Sequence, residues 1–216
     1  LKGDNNANVL NGKGGADTLY GYGGNDTLIG GSNSTNDILY GGAGNDTLSG
    51  TDGDNTLDGG TGADTITAGS GADTMTGGTG SDIFAFGSAA NAIGDSVTDF
   101  VSANDQIGVT LDYSALLGGV TVNGVRTGAG VAGTTAVEAT LSGQRGEYAY
   151  DTTSSKLIVN ANADAAVSGA DIQVSINAAA TAANTIAAGD VNFTVTGTGF
   201  NDVFVTGAGA DTINAG

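Results

Sequence analysis

The chain has no cysteine, no proline, no histidine and no tryptophan, and only 5 Lys and Arg against 23 Asp and Glu. Without cysteine there is no disulfide and no thiolate metal site. Without histidine the Ser-His-Asp triad, the Cys-His pair and the HExxH zinc site are excluded together. A net charge of −18 repels the phosphates of nucleic acid and of anionic membranes, and it attracts cations. Acidity alone would also serve solubility. No apolar run approaches the ~20 residues of a membrane-spanning helix, which argues against direct membrane insertion. A pair of carboxylates is the one common catalytic layout that remains. No acid outside the repetitive part has a suitable neighbour, so the chain is expected not to be an enzyme.

What the sequence has in excess is glycine, 40 of 216 residues, and it is periodic. From Gly3 to Ala85 the chain divides without gaps into eight nonapeptides and one 11-mer: GDNNANVLN, GKGGADTLY, GYGGNDTLI, GGSNSTNDILY, GGAGNDTLS, GTDGDNTLD, GGTGADTIT, AGSGADTMT and GGTGSDIFA. Position six holds Asn8, Asp17, Asp26, Asp37, Asp46, Asn55, Asp64, Asp73 and Asp82. Position eight holds Leu10, Leu19, Leu28, Leu39, Leu48, Leu57, Ile66, Met75 and Phe84. Such a run of two-anchor matches signals a solenoid.

A stretch such as Thr47-Leu48-Ser49 alternates polar and apolar residues, so as a strand it sends Leu48 inward and its neighbours outward. The glycines permit positive φ and close packing, so each loop turns tightly and can aim carbonyl oxygens at one point. Aspartate adds a charged oxygen. An all-oxygen donor set suits a hard cation, and Ca²⁺ accepts a flexible shell of 6–8 oxygens more readily than Mg²⁺. The plainer alternative is that the aspartates only cap turns. It would stack like charges ~4.8 Å apart, one per strand layer, with no counter-ion.

These repeats resemble the RTX nonapeptide, GGxGxDxUx. The resemblance implies a parallel β-roll, a right-handed β-solenoid with two nonapeptides per turn and Ca²⁺ held between a loop and the loop two repeats later. It also implies the ligands: backbone oxygens at positions one and three and the aspartate at position six. Carried over, these are Gly12, Gly14 and Asp17; Gly21, Gly23 and Asp26; Gly41, Ala43 and Asp46; Gly59, Thr61 and Asp64; Ala68, Ser70 and Asp73; and Gly77, Thr79 and Asp82. Asp37 and Asn55 are further candidates. Repeats 1 and 6 carry Asn at position six and repeat 4 is two residues longer, so sites touching them are expected to be weaker, altered or absent. Nine repeats form seven pairs two apart, an upper bound on the sites.

After Ala85 the period stops. Val120–Asn123, Glu147–Tyr150, Lys156–Asn160 and Asp171–Ile176 read as alternating strands, and Leu111–Leu117 as a short helix or turn. GDSVTDFVSANDQIGV (94–109) and YAYDTTSSKLIVNAN (148–162) resemble the segment after the repeats in serralysin-type secreted proteins, which implies a β-rich cap. Asp95, Asp99 and Asp105 could add a calcium site, although solvated turn acids are the simpler reading. The phase returns in AATAANTIA (179–187), GTGFNDVFV (197–205) and TGAGADTIN (206–214), with candidate ligands Asp202 and Asp211. The expectation is an all-β chain: a β-roll over 3–85, a β-rich capping domain over 86–178 and the start of a second roll over 179–216. The first residue is not Met and the last stretch breaks off inside a pattern, so the chain reads as a piece of something longer.

Thr18, Thr27, Thr47, Thr56, Thr65 and Thr74 form outward ranks at position seven. Such ranks look like an ice-binding face, yet the β-propensity of Thr accounts for them. The low Lys count and the Ala/Thr/Gly/Asn-rich composition resemble bacterial S-layer proteins of the RTX class and long RTX adhesins. This favours a calcium-dependent structural module that self-assembles on the cell surface after type I secretion. The alternative is the C-terminal accessory part of a secreted metalloprotease or lipase.

Overall fold

A computed structural model describes residues 1–32, 35–87, 94–101, 104–112, 121–123, 148–151, 156–159, 172–176, 191–196, 203–205 and 212–214. Among them there is no helix, and every regular element is a strand. The nonapeptides form β1 (Val9–Lys13), β2 (Thr18–Gly23), β3 (Thr27–Gly31), β4 (Ile38–Ala43), β5 (Thr47–Asp52), β6 (Thr56–Thr61), β7 (Thr65–Ser70), β8 (Thr74–Thr79) and β9 (Ile83–Phe86). Each strand starts at position seven, where a β-branched residue stands, and all but β9 run into the glycines that open the next loop.

Odd strands pair with odd and even with even, all parallel. The register sets Leu28 opposite Leu48, Leu48 opposite Ile66, Leu39 opposite Leu57 and Leu57 opposite Met75. One coil is therefore two repeats, and the chain winds as a two-sheeted β-solenoid. Period-two alternation does the rest. Leu19, Leu28, Leu39, Leu48, Leu57, Ile66, Met75 and Phe84 are fully buried between the sheets, while Thr47, Thr56 and Thr74 are exposed.

Neither sheet stops where the period stops. β10 (Ser96–Val97) pairs with β8, and β11 (Gln106–Asp112) pairs with β9, both parallel. The core broadens there with Phe86, Val97, Phe100, Ile107 and Val109, and the rings of Phe84 and Phe100 meet at 6.4 Å. Leu111 and Asp112, expected at the start of a short helix or turn, close β11; the remainder of that stretch lies outside the described residues.

Beyond it come β12 (Thr121–Asn123), β13 (Tyr148–Asp151), β14 (Lys156–Val159), β15 (Ile172–Ile176), β16 (Val191–Thr196), β17 (Val203–Val205) and β18 (Thr212–Asn214). The first sheet runs β1-β3-β5-β7-β9-β11-β16-β18 and the second β2-β4-β6-β8-β10-β15-β14-β13, while β12 and β17 pair separately. β14 pairs antiparallel with β13 on one side and with β15 on the other, so the strand pair expected at 148–162 is present.

Candidate calcium columns

Each loop sits above the loop of the next coil, which makes two columns of position-six residues. Along the first edge stand Asn8, Asp26, Asp46, Asp64 and Asp82; along the second, Asp17, Asp37, Asn55 and Asp73. Asp26, Asp37, Asp46, Asn55, Asp64, Asp73 and Asp82 are each no more than 2% exposed.

The two carboxylate oxygens do different things. Oδ1 accepts the backbone N–H of the position-six residue one coil back. Asn8 donates to Asp26 at 2.7 Å, Asp26 to Asp46 at 2.7 Å, Asp46 to Asp64 at 2.7 Å and Asp64 to Asp82 at 2.9 Å. On the second edge Asp17 donates to Asp37 at 2.8 Å and Asn55 to Asp73 at 2.7 Å. Position five staples the coils in the opposite sense: Asn25 Oδ1 accepts from Asn45 N–H and Asn45 Oδ1 from Ala63 N–H, each at 3.0 Å.

Oδ2 is left without a partner. The Oδ2 atoms of Asp17, Asp26, Asp37, Asp46, Asp64, Asp73 and Asp82 are buried and accept no hydrogen bond. A buried acceptor left unsatisfied costs about 1–3 kcal/mol, and more when it is charged. These oxygens also face a cradle. A methyl group on Gly41 would lie 2.5 Å from Asp46 Oδ2 and 2.6 Å from the carbonyl oxygen of Gly59 in the next coil. On Gly59 it would lie 2.5 Å from Asp64 Oδ2 and 2.8 Å from the Gly77 carbonyl. Glycine at position one thus keeps open a space lined by a carboxylate of one coil and a carbonyl of the next. The glycine at position four has a separate cause. Gly62 has φ 139°, in the region that disfavours side chains, and its missing Cβ points at the carbonyl of Gly44.

Among the described residues no three acidic side chains converge on one point. A cation held here would draw most of its shell from backbone carbonyls, with one carboxylate oxygen per coil. That is a donor set for Ca²⁺ rather than for a metal that prefers nitrogen or sulfur. The expected residues divide by role. Position-one carbonyls of Gly41, Gly59 and Gly77 and position-six carboxylates are brought together, whereas the Ala68 carbonyl shares its cradle with the Asn55 amide. Position-three carbonyls of Thr61 and Thr79 accept the N–H groups of Gly44 and Gly62, which leaves them one further lone pair. Gly12 and Gly21 frame cradles with Asp17 and Asp26, whereas Gly23, Ala43 and Ser70 end their strands and Gly14 follows the end of β1. Asp202 and Asp211 lie outside the described residues.

Repeat 4, although two residues longer, keeps the loop geometry of its neighbours. Asp37 is 1% exposed and in the ladder, and a methyl on Gly30 would lie 2.5 Å from its Oδ2 and 2.7 Å from the Gly50 carbonyl. The glycines that head repeats 4 and 6, Gly30 and Gly50, escaped the motif-based assignment although they stand at position one. Repeat 6 does depart. Asn55 Oδ1 accepts from Asp37 N–H at 2.9 Å, but its Nδ2 donates to the Gly53 carbonyl at 2.8 Å. The amide donor takes up the acceptor capacity that a cation would otherwise use. Asn55→Asp is therefore expected to add one bound calcium per chain, counted by native mass spectrometry, and to lower calcium-free stability by about 1–3 kcal/mol in urea titrations at pH 5, where the calcium-free chain keeps its fold.

Asp95 and Asp105 are not solvated turn acids. They are 0% and 5% exposed, and Asp99 takes the N–H groups of Gly77 and Gly78 at 2.9 and 2.7 Å.

Burial pushes the Asp64 carboxyl up to about 6, with Asp82, Asp46 and Asp58 adding repulsion. Burial likewise raises Asp46, Asp73 and Asp82, and lifts Asp95 to about 7 with Asp73 contributing. A carboxyl whose pKa is higher folded than unfolded binds more protons in the folded state. Its stabilising proton is present below about pH 4 and is lost as pH rises through about 6 to 7. Calcium-free protein is thus expected to melt cooperatively at pH 5 and to show little or no melting transition at pH 8. With calcium the order reverses, because protons compete for the same oxygens. Calorimetry at both pH values, with and without chelator, checks this.

Residues 2–35, 32–56, 49–84 and 194–216 match the RTX calcium-binding nonapeptide repeat in four copies. The chain carries RTX repeats. The RTX roll and the geometry above agree on a calcium-binding module, and the matched span 194–216 includes β17 and β18. No curated protein matches the chain.

Proposed function

We propose that this chain is a calcium-dependent structural and assembly module of a secreted bacterial surface protein of the S-layer type, with no catalysis of its own. It folds outside the cell when Ca²⁺ fills the RTX columns. The observation that carries the reading is the rank of buried carboxylates, each with one oxygen in a coil-to-coil hydrogen bond and the other without a partner. Ions that bind only the folded chain stabilise it by mass action, about 2.7 kcal/mol each at 100 times Kd. At low calcium, the net charge of −18 and 40 glycines keep the chain open.

The assembly half rests on composition and on the RTX match that resumes at 194–216. Its test is electron microscopy of the protein with millimolar calcium and with chelator. Calcium-dependent sheets or filaments are expected. A monodisperse monomer in calcium would remove the assembly role while leaving calcium-driven folding intact. The antiparallel strands β13, β14 and β15, in a segment resembling the serralysin-type cap, favour a second reading as the accessory domain of a secreted enzyme. A zinc-protease segment upstream in the same gene would select it.

A further inference from the structure

We infer that the calcium column of the second edge extends one coil beyond the last RTX repeat, to a site at Asp73 and Asp95 that the repeat pattern does not reveal. The inference rests on the calcium reading of the columns. The RTX match ends at residue 84 on this side, and from Asp73 to Asp95 the spacing is 22 residues instead of 18. The backbone register is nevertheless that of a repeat. Ser96 lies opposite Thr74 and Val97 opposite Met75 in the parallel pairing of β10 with β8. Ser96 N–H donates to the Asp73 carbonyl at 2.8 Å, as Thr74 N–H donates to the Asn55 carbonyl one coil earlier. Asp95 therefore occupies position six.

Its carboxylate divides its duties as the repeat aspartates do. Oδ1 accepts the N–H of Asp73 at 2.8 Å, and Oδ2, in a fully buried side chain, has no partner. Asp73 Oδ2 is in the same state. The first edge ends differently. Asp105 accepts Asp82 N–H with Oδ1, at 3.1 Å, and Val101 N–H with Oδ2, at 2.7 Å, so its own turn satisfies it. One column closes on a backbone donor, and the other ends with a buried anionic oxygen that wants a cation. An ion there would fasten the segment that follows the repeats to the roll.

The test counts bound calcium in the full chain by native mass spectrometry, reading only the compact charge states so that any unfolded fraction is set aside. Asp95→Asn and Asp95→Ser are compared with Asp64→Asn inside the repeats and Asp58→Asn on the outer face. Asn55 shows that an amide keeps its place in the ladder. The expected result is the loss of one ion in both Asp95 variants and in Asp64→Asn, and no loss in Asp58→Asn. If Asp64→Asn loses an ion and neither Asp95 variant does, the extension is wrong and the reading of the repeats stands. If the wild type binds no calcium, both are wrong.

Discussion

Chelation of calcium at pH 8 is expected to abolish most of the β-sheet signal in far-UV circular dichroism, and excess calcium to restore it. Eight buried carboxylate oxygens lack a partner among the described residues, those of Asp17, Asp26, Asp37, Asp46, Asp64, Asp73, Asp82 and Asp95. At about 1–3 kcal/mol each, and more when charged, their combined cost exceeds the ~5–15 kcal/mol stability of a typical domain. The apolar core is of the same order and has other costs to meet. Each of β2 to β9 buries at least one large apolar side chain, such as Leu48 or Ile66, worth about 1.5–3 kcal/mol, and the same sum must offset the ordering of several glycines per coil. Protonation is the only other relief, which is why the calcium-free chain is expected to be more folded in acid. A β spectrum indifferent to the chelator at pH 8 would contradict this.

The second large effect is at Gly59. Its φ is not in the positive region, so alanine there meets no backbone strain. The added methyl would instead enter the space between Asp64 Oδ2 and the Gly77 carbonyl, and it would stand 2.9 Å from Asp64 Cβ. Gly59→Ala is expected to weaken one calcium site. It should lower the melting temperature in calcium by about 10 °C, from about 2.7 kcal/mol of lost binding plus about 1–3 kcal/mol of overpacking. Calorimetry in calcium measures it. In chelator at pH 5, where the calcium-free chain keeps its fold, only the overpacking should remain and the variant should differ less from wild type, which separates a blocked ion from a packing defect. The chain contains the converse experiment: Ala68 already stands at position one on the second edge, and Ala68→Gly should tighten calcium binding there.

Much of this was legible in the sequence because the repeat imposes one geometry many times. Period two within Thr47-Leu48-Ser49 gave the buried face, and period nine gave the coil and placed each aspartate above another. The roles within the loop were not legible. GGTGAD does not say that the first glycine leaves room for a ligand, as at Gly59, while the fourth position answers to backbone φ, as at Gly62. Nor does Lys13, Tyr22 or Thr51 at position two announce a positive φ, which all three adopt. The continuation at Asp95 and Asp105 was hidden because the loops before them are longer, and period analysis fails once the spacing changes even though the register does not. Asn55 shows a chemical limit. One atom separates it from aspartate, and only its hydrogen bond to the Gly53 carbonyl sets its loop apart from the others.

The most direct test is a crystal structure grown in excess calcium, read from anomalous difference density. The account predicts peaks between successive coils, each bonded at about 2.3–2.6 Å to a position-six Oδ2 and to a position-one carbonyl of the next coil. Asp46 with Gly59 and Asp64 with Gly77 are the first places to look. Coils that stack as described, with no ion at those oxygens, would contradict it.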